Sequence, residues 1–218
     1  MGMAFRERLL RAYFIAGTQD VKNPRLTLQQ ILQQALAAGI TAFQYREKGP
    51  GSLTGKARVE MALQLREMCA SHAVPFIVDD DVDLAKTTDA DGIHVGQKDE
   101  RVTQVIDEVG DSMFVGLSCD TEDQVRAANQ TSGLSYIGSG PVSPTGSKAD
   151  ADPVIGVDGL AKLVAVSQLP VGAIGGITEE NVGELPKAKV AGAAVISMIA
   201  QSRDINRTVA KMLTTFSD

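Results

Sequence analysis

The chain has 218 residues, 44% of them hydrophobic and 22% charged, with 21 basic and 27 acidic side chains for a net charge of -6. This is globular composition at a length that an α/β barrel fills as one domain, here residues 1–218, and no basic run stands out to suggest a nucleic-acid partner. No apolar run is long enough for a membrane, and Met1 to Leu10 lacks the apolar stretch of a signal peptide, so a cytoplasmic location is expected.

Short apolar runs predict eight strands: Arg11 to Ala16, Ala42 to Arg46, Pro75 to Asp79, Gly92 to Val95, Phe114 to Leu117, Tyr136 to Gly138, Val171 to Ile174 and Ala193 to Ile196. Stretches of helical period lie between most of them. Leu28, Ile31, Leu32, Ala35 and Leu36 make one helix face, and Met61, Leu65 and Met68 another. Alternating strands and helices imply a parallel sheet, and eight such units imply a closed (β/α)8 barrel. An open doubly wound sheet is the competing architecture. No GxGxxG follows the first strand, and polar residues recur at many strand ends, as a barrel rim requires.

The second strand ends Gln44-Tyr45-Arg46-Glu47-Lys48. Alternate residues share a face, so Gln44, Arg46 and Lys48 point together while Tyr45 and Glu47 point the other way. Two cations and an amide converging on a barrel mouth make an anion site. The third strand ends Asp79-Asp80-Asp81, three carboxylates that need compensation. Asp81 suits the N-cap of the next helix, which leaves Asp79 and Asp80 for function. A hard cation such as Mg²⁺, bound through one or two carboxylates and phosphate oxygens, would answer the need.

The fourth strand carries His94, which reads as a hydrogen-bonded lumen residue, and Asp99 beyond it is either a helix cap or a second metal carboxylate. The fifth ends Ser118-Cys119-Asp120, with Ser118 free to meet a ligand and Thr121 an N-cap. Cys69 and Cys119 have no metal spacing and read as reduced, incidental thiols. After the sixth strand, Thr145, Gly146, Ser147 and Lys148 suit a loop that closes over phosphate, and equally a plain surface loop. Gly175 and Gly176 end the seventh strand, with Thr178 as an N-cap, and Ile196-Ser197 ends the eighth. Loops after strands seven and eight are the usual phosphate site of such barrels.

In this order, QYREK at 44 to 48, DD at 79 to 80, HVGQKD at 94 to 99, Ser118, GPVSPTGSK at 140 to 148, IGGI at 174 to 177 and Ile196-Ser197 resemble the thiamine-phosphate synthase family. The resemblance runs from Tyr13 to about Ile199. It implies a (β/α)8 barrel, Mg²⁺ and two phosphorylated substrates, a 4-amino-5-hydroxymethyl-2-methylpyrimidine diphosphate and a 4-methyl-5-(2-hydroxyethyl)thiazole phosphate. It implies that Gln44, Tyr45, Arg46, Glu47 and Lys48, with Asp79, Ser118 and Lys148, meet the pyrimidine diphosphate, and that Arg46, Lys48 and Lys148 act on its leaving group. Asp80 and Asp99 would carry Mg²⁺. Thr145, Gly146, Ser147, Gly175, Gly176, Ile196 and Ser197 would hold the thiazole phosphate.

Three positions depart from the family pattern. Asp79 stands where Asn is usual, Ser147 where Thr is usual, and Asp120 where His or Asn is common. Two alternatives stay open at this point. One is a thiazole tautomerase-like barrel, a relative that tends to carry His where this chain has Asp120 and to lose the metal and lid residues. The other is a non-catalytic barrel that binds thiazole or pyrimidine phosphates.

Overall fold

A computed structural model describes residues 4–146 and 153–217. Eight strands alternate with helical segments: β1 (Tyr13–Ala16), β2 (Ala42–Tyr45), β3 (Phe76–Asp79), β4 (Gly92–Val95), β5 (Phe114–Ser118), β6 (Leu134–Ser139), β7 (Val171–Ile174) and β8 (Gly192–Val195). Each strand pairs in parallel with the next. β8 pairs back onto β1, with Tyr13 opposite Ala194, and the sheet closes into a barrel. The crossovers are α1 (Leu28–Ala38), α2 (Gly55–Ser71), α3 (Val82–Thr87), α4 (Val102–Val109), α5 (Glu122–Asn129) and α6 (Gly156–Val166). After β8 come α7 (Ser197–Ala200) and α8 (Ile205–Thr215). No helix among the described residues is long and apolar enough to cross a membrane.

The helix signals act through ordinary local chemistry. Thr27 and Gln30 form a reciprocal capping box at α1, and Thr121 and Gln124 form another at α5. Asp81 caps α3, accepting from the Leu84 amide at 2.8 Å. Two expectations change. The segment between β7 and β8 is a 3-10 helix, Val182–Ala188, with Asn181 rather than Thr178 at its N-cap position. Pro186 lies inside it and has no N–H for an α-helical ladder. Asp99 caps no helix, because α4 begins at Val102 with Arg101 before it.

Both faces of every strand are covered, as expected when helices wrap a parallel sheet. Phe14, Phe43, Phe76, Ile93 and Val195 point outward against buried helix faces such as Ile31, Leu32 and Leu65. Tyr13, Ile15, Ala42, Ile77 and Tyr136 point inward into a separate lumen cluster. The first strand begins two residues later than its apolar run suggests, because Glu7–Leu10 is a 3-10 turn that delivers Leu9 and Leu10 to the lumen floor. Phe5 completes that floor by stacking on Tyr136, with ring centroids 5.3 Å apart and planes 8° from parallel.

This floor explains one glycine. A Cβ at Gly192, the first residue of β8, would collide with the backbone carbonyl of Leu10. At the opposite end, Glu47 pins the loop after β2. It is 5% exposed. Its carboxylate accepts from the amides of Thr18 at 2.9 Å and Leu53 at 2.6 Å, and from the Thr18 hydroxyl.

Gly192→Ala is therefore expected to destabilise the barrel by about 1–3 kcal/mol or more, read as a lower urea midpoint with an unchanged slope. Glu47→Ala leaves two amides without their acceptor, and a loss of roughly 2–3 kcal/mol is expected in the same titration.

Candidate active site

The inward residues near the carboxyl ends of the strands open into three adjoining concavities. The central one is lined by Gln44, Arg46, Asp79, Ser118, Thr145 and Gly175, among others. A second shares Arg46, Asp79 and Ser118 with it and adds Lys48, Gln97 and Asp99. A third shares Thr145, Gly175 and Ile196 with it and adds Gly176 and Ser197. One mouth therefore has a cationic and acidic side over β2 to β4 and a glycine-rich side over β7 and β8.

Residue parity on β2 explains the first side. Gln44 is buried in the lumen, and Arg46 and Lys48 follow it on the same face. Tyr45 and Glu47 point to the helix layer. Tyr45 is 1% exposed and stacks with Phe76 at 6.5 Å between centroids, and Glu47 serves as the loop pin. The structure does not bring either to the central cavity, because the strand pleat that turns Gln44 and Arg46 inward turns these two outward.

The three aspartates at the end of β3 and just beyond it are each compensated. Asp79 Oδ2 lies 3.5 Å from Arg46 Nε and 3.2 Å from Lys48 Nζ. That oxygen is buried and accepts no hydrogen bond among the described residues, so its compensation is ionic. Asp80 pairs with Lys48. Asp81 pairs with Arg58 Nη1 at 2.6 Å while its other oxygen caps α3. Asp80 also holds a left-handed backbone, φ 51°, a conformation uncommon outside glycine and tolerated by aspartate. Such outliers concentrate at sites that bind or react.

Asp99 turns back on its own loop and accepts from the Gly96 amide at 2.7 Å. No group of three or more His, Cys, Asp or Glu comes together around a metal position among the described residues. A site built on Asp80 and Asp99 would thus be two carboxylates completed by ligand oxygens. Such a donor set is of the kind Mg²⁺ accepts.

The floor of the central cavity is polar in a way that sequence reading reached only in part. His94 bonds Tyr136 through Nδ1 and Ser118 through Nε2, each at 3.0 Å. Tyr13 and Tyr136 were read only as strand residues. Their signal was inward parity, since a buried tyrosine hydroxyl inside a barrel needs a partner. Asp120 was singled out only as a departure, and it lines the cavity while its Oδ1 accepts from the Gly140 amide at 3.1 Å. Cys119 is buried, and burial, aided by the Asp120 charge, pushes its thiol up to about 12. That makes it a poor nucleophile.

On the other side, Gly175 and Gly176 have φ of 89° and 66°. A Cβ at Gly175 would sit 2.6 Å from Pro141 Cβ, and one at Gly176 would strike the Ser143 carbonyl. The pair lets the β7 loop lie directly against the segment after β6, where the Ser143 amide donates to the Gly175 carbonyl at 3.1 Å. Thr145 and Gly146 continue that segment at the rim. Ser147 and Lys148, expected at the same loop, lie outside the described residues.

Comparison with known proteins finds relatives that match along nearly the whole chain. A family model described as thiamine monophosphate synthase matches residues 12–199. A thiamine-phosphate synthase of Lactiplantibacillus plantarum is 56% identical over 214 residues, covering 98% of each chain. One of Levilactobacillus brevis is 53% identical over 218 residues, covering 100% of each. A solved thiamine phosphate pyrophosphorylase from Pyrococcus furiosus superposes with a TM-score of 0.81 at 28% identity, over 97% of this chain and 98% of that one. With a family model spanning nearly the whole barrel and relatives matching end to end, the chain belongs to the thiamine monophosphate synthase family.

Proposed function

We propose that the chain joins 4-amino-5-hydroxymethyl-2-methylpyrimidine diphosphate to 4-methyl-5-(2-hydroxyethyl)thiazole phosphate, giving thiamine phosphate and diphosphate. The observation that carries this reading is the two-sided mouth, with ionic groups over β2 to β4 and close-packed glycines over β7 and β8. Joining two phosphorylated molecules needs two anion sites facing one reaction space.

The bond that breaks is the C–O bond between the pyrimidine methylene and the diphosphate, whose oxygen keeps the electron pair. The electron-rich aminopyrimidine carries the resulting positive charge. The bond that forms is C–N, from the lone pair of the thiazole nitrogen. No enzyme nucleophile is needed. Arg46, Lys48 and Lys148 are assigned to the charge that develops on the leaving diphosphate. Gln44 and Ser118 would hold the pyrimidine. Thr145, Gly146, Ser147, Gly175, Gly176, Ile196 and Ser197 would hold the thiazole phosphate, so that the nitrogen waits close to the methylene carbon. Asp80 and Asp99 would hold Mg²⁺, which when bound neutralises diphosphate charge and so eases its departure.

Asp79 has a distinct part in this scheme. It occupies both Arg46 and Lys48 before substrate arrives. Diphosphate must therefore displace a carboxylate from the two cations it needs.

Purified protein given both substrates is expected to form thiamine phosphate only when Mg²⁺ is supplied, with chromatography of the product as readout. Absence of Mg²⁺-dependent product would overturn the assignment. Lys48→Ala and Asp80→Ala are each expected to lower kcat by about 10²–10³ with the fold retained by circular dichroism. Asp79→Asn should lower the KM for the pyrimidine diphosphate severalfold, since it removes one negative charge from the diphosphate side while keeping the side-chain volume.

A further inference from the structure

Five polar side chains, each from a different strand, form an unbroken line through the barrel lumen. Gln44 on β2 donates through Nε2 to the Tyr13 hydroxyl on β1 at 2.7 Å. The Tyr13 and Tyr136 hydroxyls, on β1 and β6, are 3.0 Å apart. Tyr136 then meets His94 Nδ1 on β4, and His94 Nε2 meets Ser118 Oγ on β5, both at 3.0 Å. Burial pushes both phenols above their ordinary range, so each keeps its single hydrogen.

Counting hydrogens gives the line a direction. Tyr13 accepts from Gln44, so its own hydrogen goes to Tyr136. The Tyr136 hydrogen then goes to His94 Nδ1, which must be an acceptor. In neutral imidazole the other nitrogen is then the donor, and it donates to Ser118 Oγ. The Ser118 hydrogen is left for the cavity, which Ser118 lines. At the other end, the Gln44 carbonyl oxygen accepts no hydrogen bond among the described residues, and Gln44 lines the same cavity.

We infer that this line is a polarised hydrogen-bond chain that makes Gln44 an acceptor and Ser118 a donor toward the ligand as one coupled pair, with Tyr13, Tyr136 and His94 as its specificity-determining positioning residues. The inference rests on the synthase reading, which supplies a ring bearing an exocyclic amine. An amine donor at the Gln44 end suits the direction described. An oxo group there would need the Gln44 amide turned over. Turning it reverses every hydroxyl in the line, because each has one hydrogen, and Ser118 then donates to His94 instead of the ligand. An aminopyrimidine and its oxo counterpart are thus distinguished at both ends of the ring at once, and the middle of the line enforces the coupling.

The test has two readouts on the full chain. The first needs no substrate: long-range ¹H–¹⁵N correlation of the imidazoles, in which His72 is the only other histidine. A proton on Nε2 and none on Nδ1 of His94 is expected, and a proton on Nδ1 would overturn the chain. The second is calorimetric binding, in buffer containing Mg²⁺, of the aminopyrimidine diphosphate and of its 4-oxo counterpart. Wild type is expected to prefer the amine. Tyr136→Phe and Tyr13→Phe should each cut that preference by roughly tenfold, because a broken line lets Gln44 turn without consequence at Ser118. An unchanged preference in both folded variants would overturn the proposal, whatever their stability. If neither diphosphate bound wild type, the synthase reading would fall and the specificity claim with it, while the ring-proton position would still report on the chain itself.

Discussion

Closure of the sheet is the constraint on which everything else depends. The strands are only four to six residues long. An open sheet of such short strands would leave edges, and a ring leaves none. Closure also forces alternate side chains from all eight strands into one narrow lumen. Apolar residues fill its lower part, and a glycine admits the floor turn where β8 begins. Polar groups buried in the lumen lie away from bulk solvent. Most of their hydrogen bonds are made to one another, across strands that are distant in sequence.

The same geometry divides labour around the mouth. Residues immediately after β2 and β3 are brought side by side by strand pairing, with Tyr45 opposite Val78 in register. This puts Arg46 and Lys48 next to Asp79, which ends β3, and Asp80, which follows it. Glu47, between the two cations, faces outward and holds the loop that carries them. One strand end thus alternates between residues that face the mouth and residues that support it. A change at the supporting residue would reach the cations without touching a ligand.

Much of this was legible in the sequence, for definite reasons. Eight short apolar runs separated by helical period imply a barrel, and the period-two rule correctly divides Gln44 and Arg46 from Tyr45 and Glu47. The family motif, which is contiguous, groups Tyr45 and Glu47 with their neighbours, and the pleat separates them again. Tyr13 and Tyr136 were not legible as site residues. Each looks like any aromatic in a strand, and the two meet across the lumen only because the barrel closes, which no local pattern encodes. The 3-10 segment was missed because Thr178 and its acidic neighbours imitate a helix start, while Pro186 rules from inside. The sequence points to a metal cation as compensation for the three aspartates, whereas the structure supplies three side-chain cations, Arg46, Lys48 and Arg58.

Arg46, Lys48, Asp79 and Asp80 have a consequence for how ligands arrive. Two positive and two negative side chains in contact cancel, and the chain as a whole is negative at -6. From a Debye length away, an approaching polyanion meets little attraction. Long-range steering, which can accelerate association by orders of magnitude, is therefore weak at this mouth. On the proposed reading, capture would depend on exchange at short range, with the cations letting go of carboxylates to take hold of phosphate. Such an encounter would depend little on ionic strength and would favour ligands that arrive with their own countercharge.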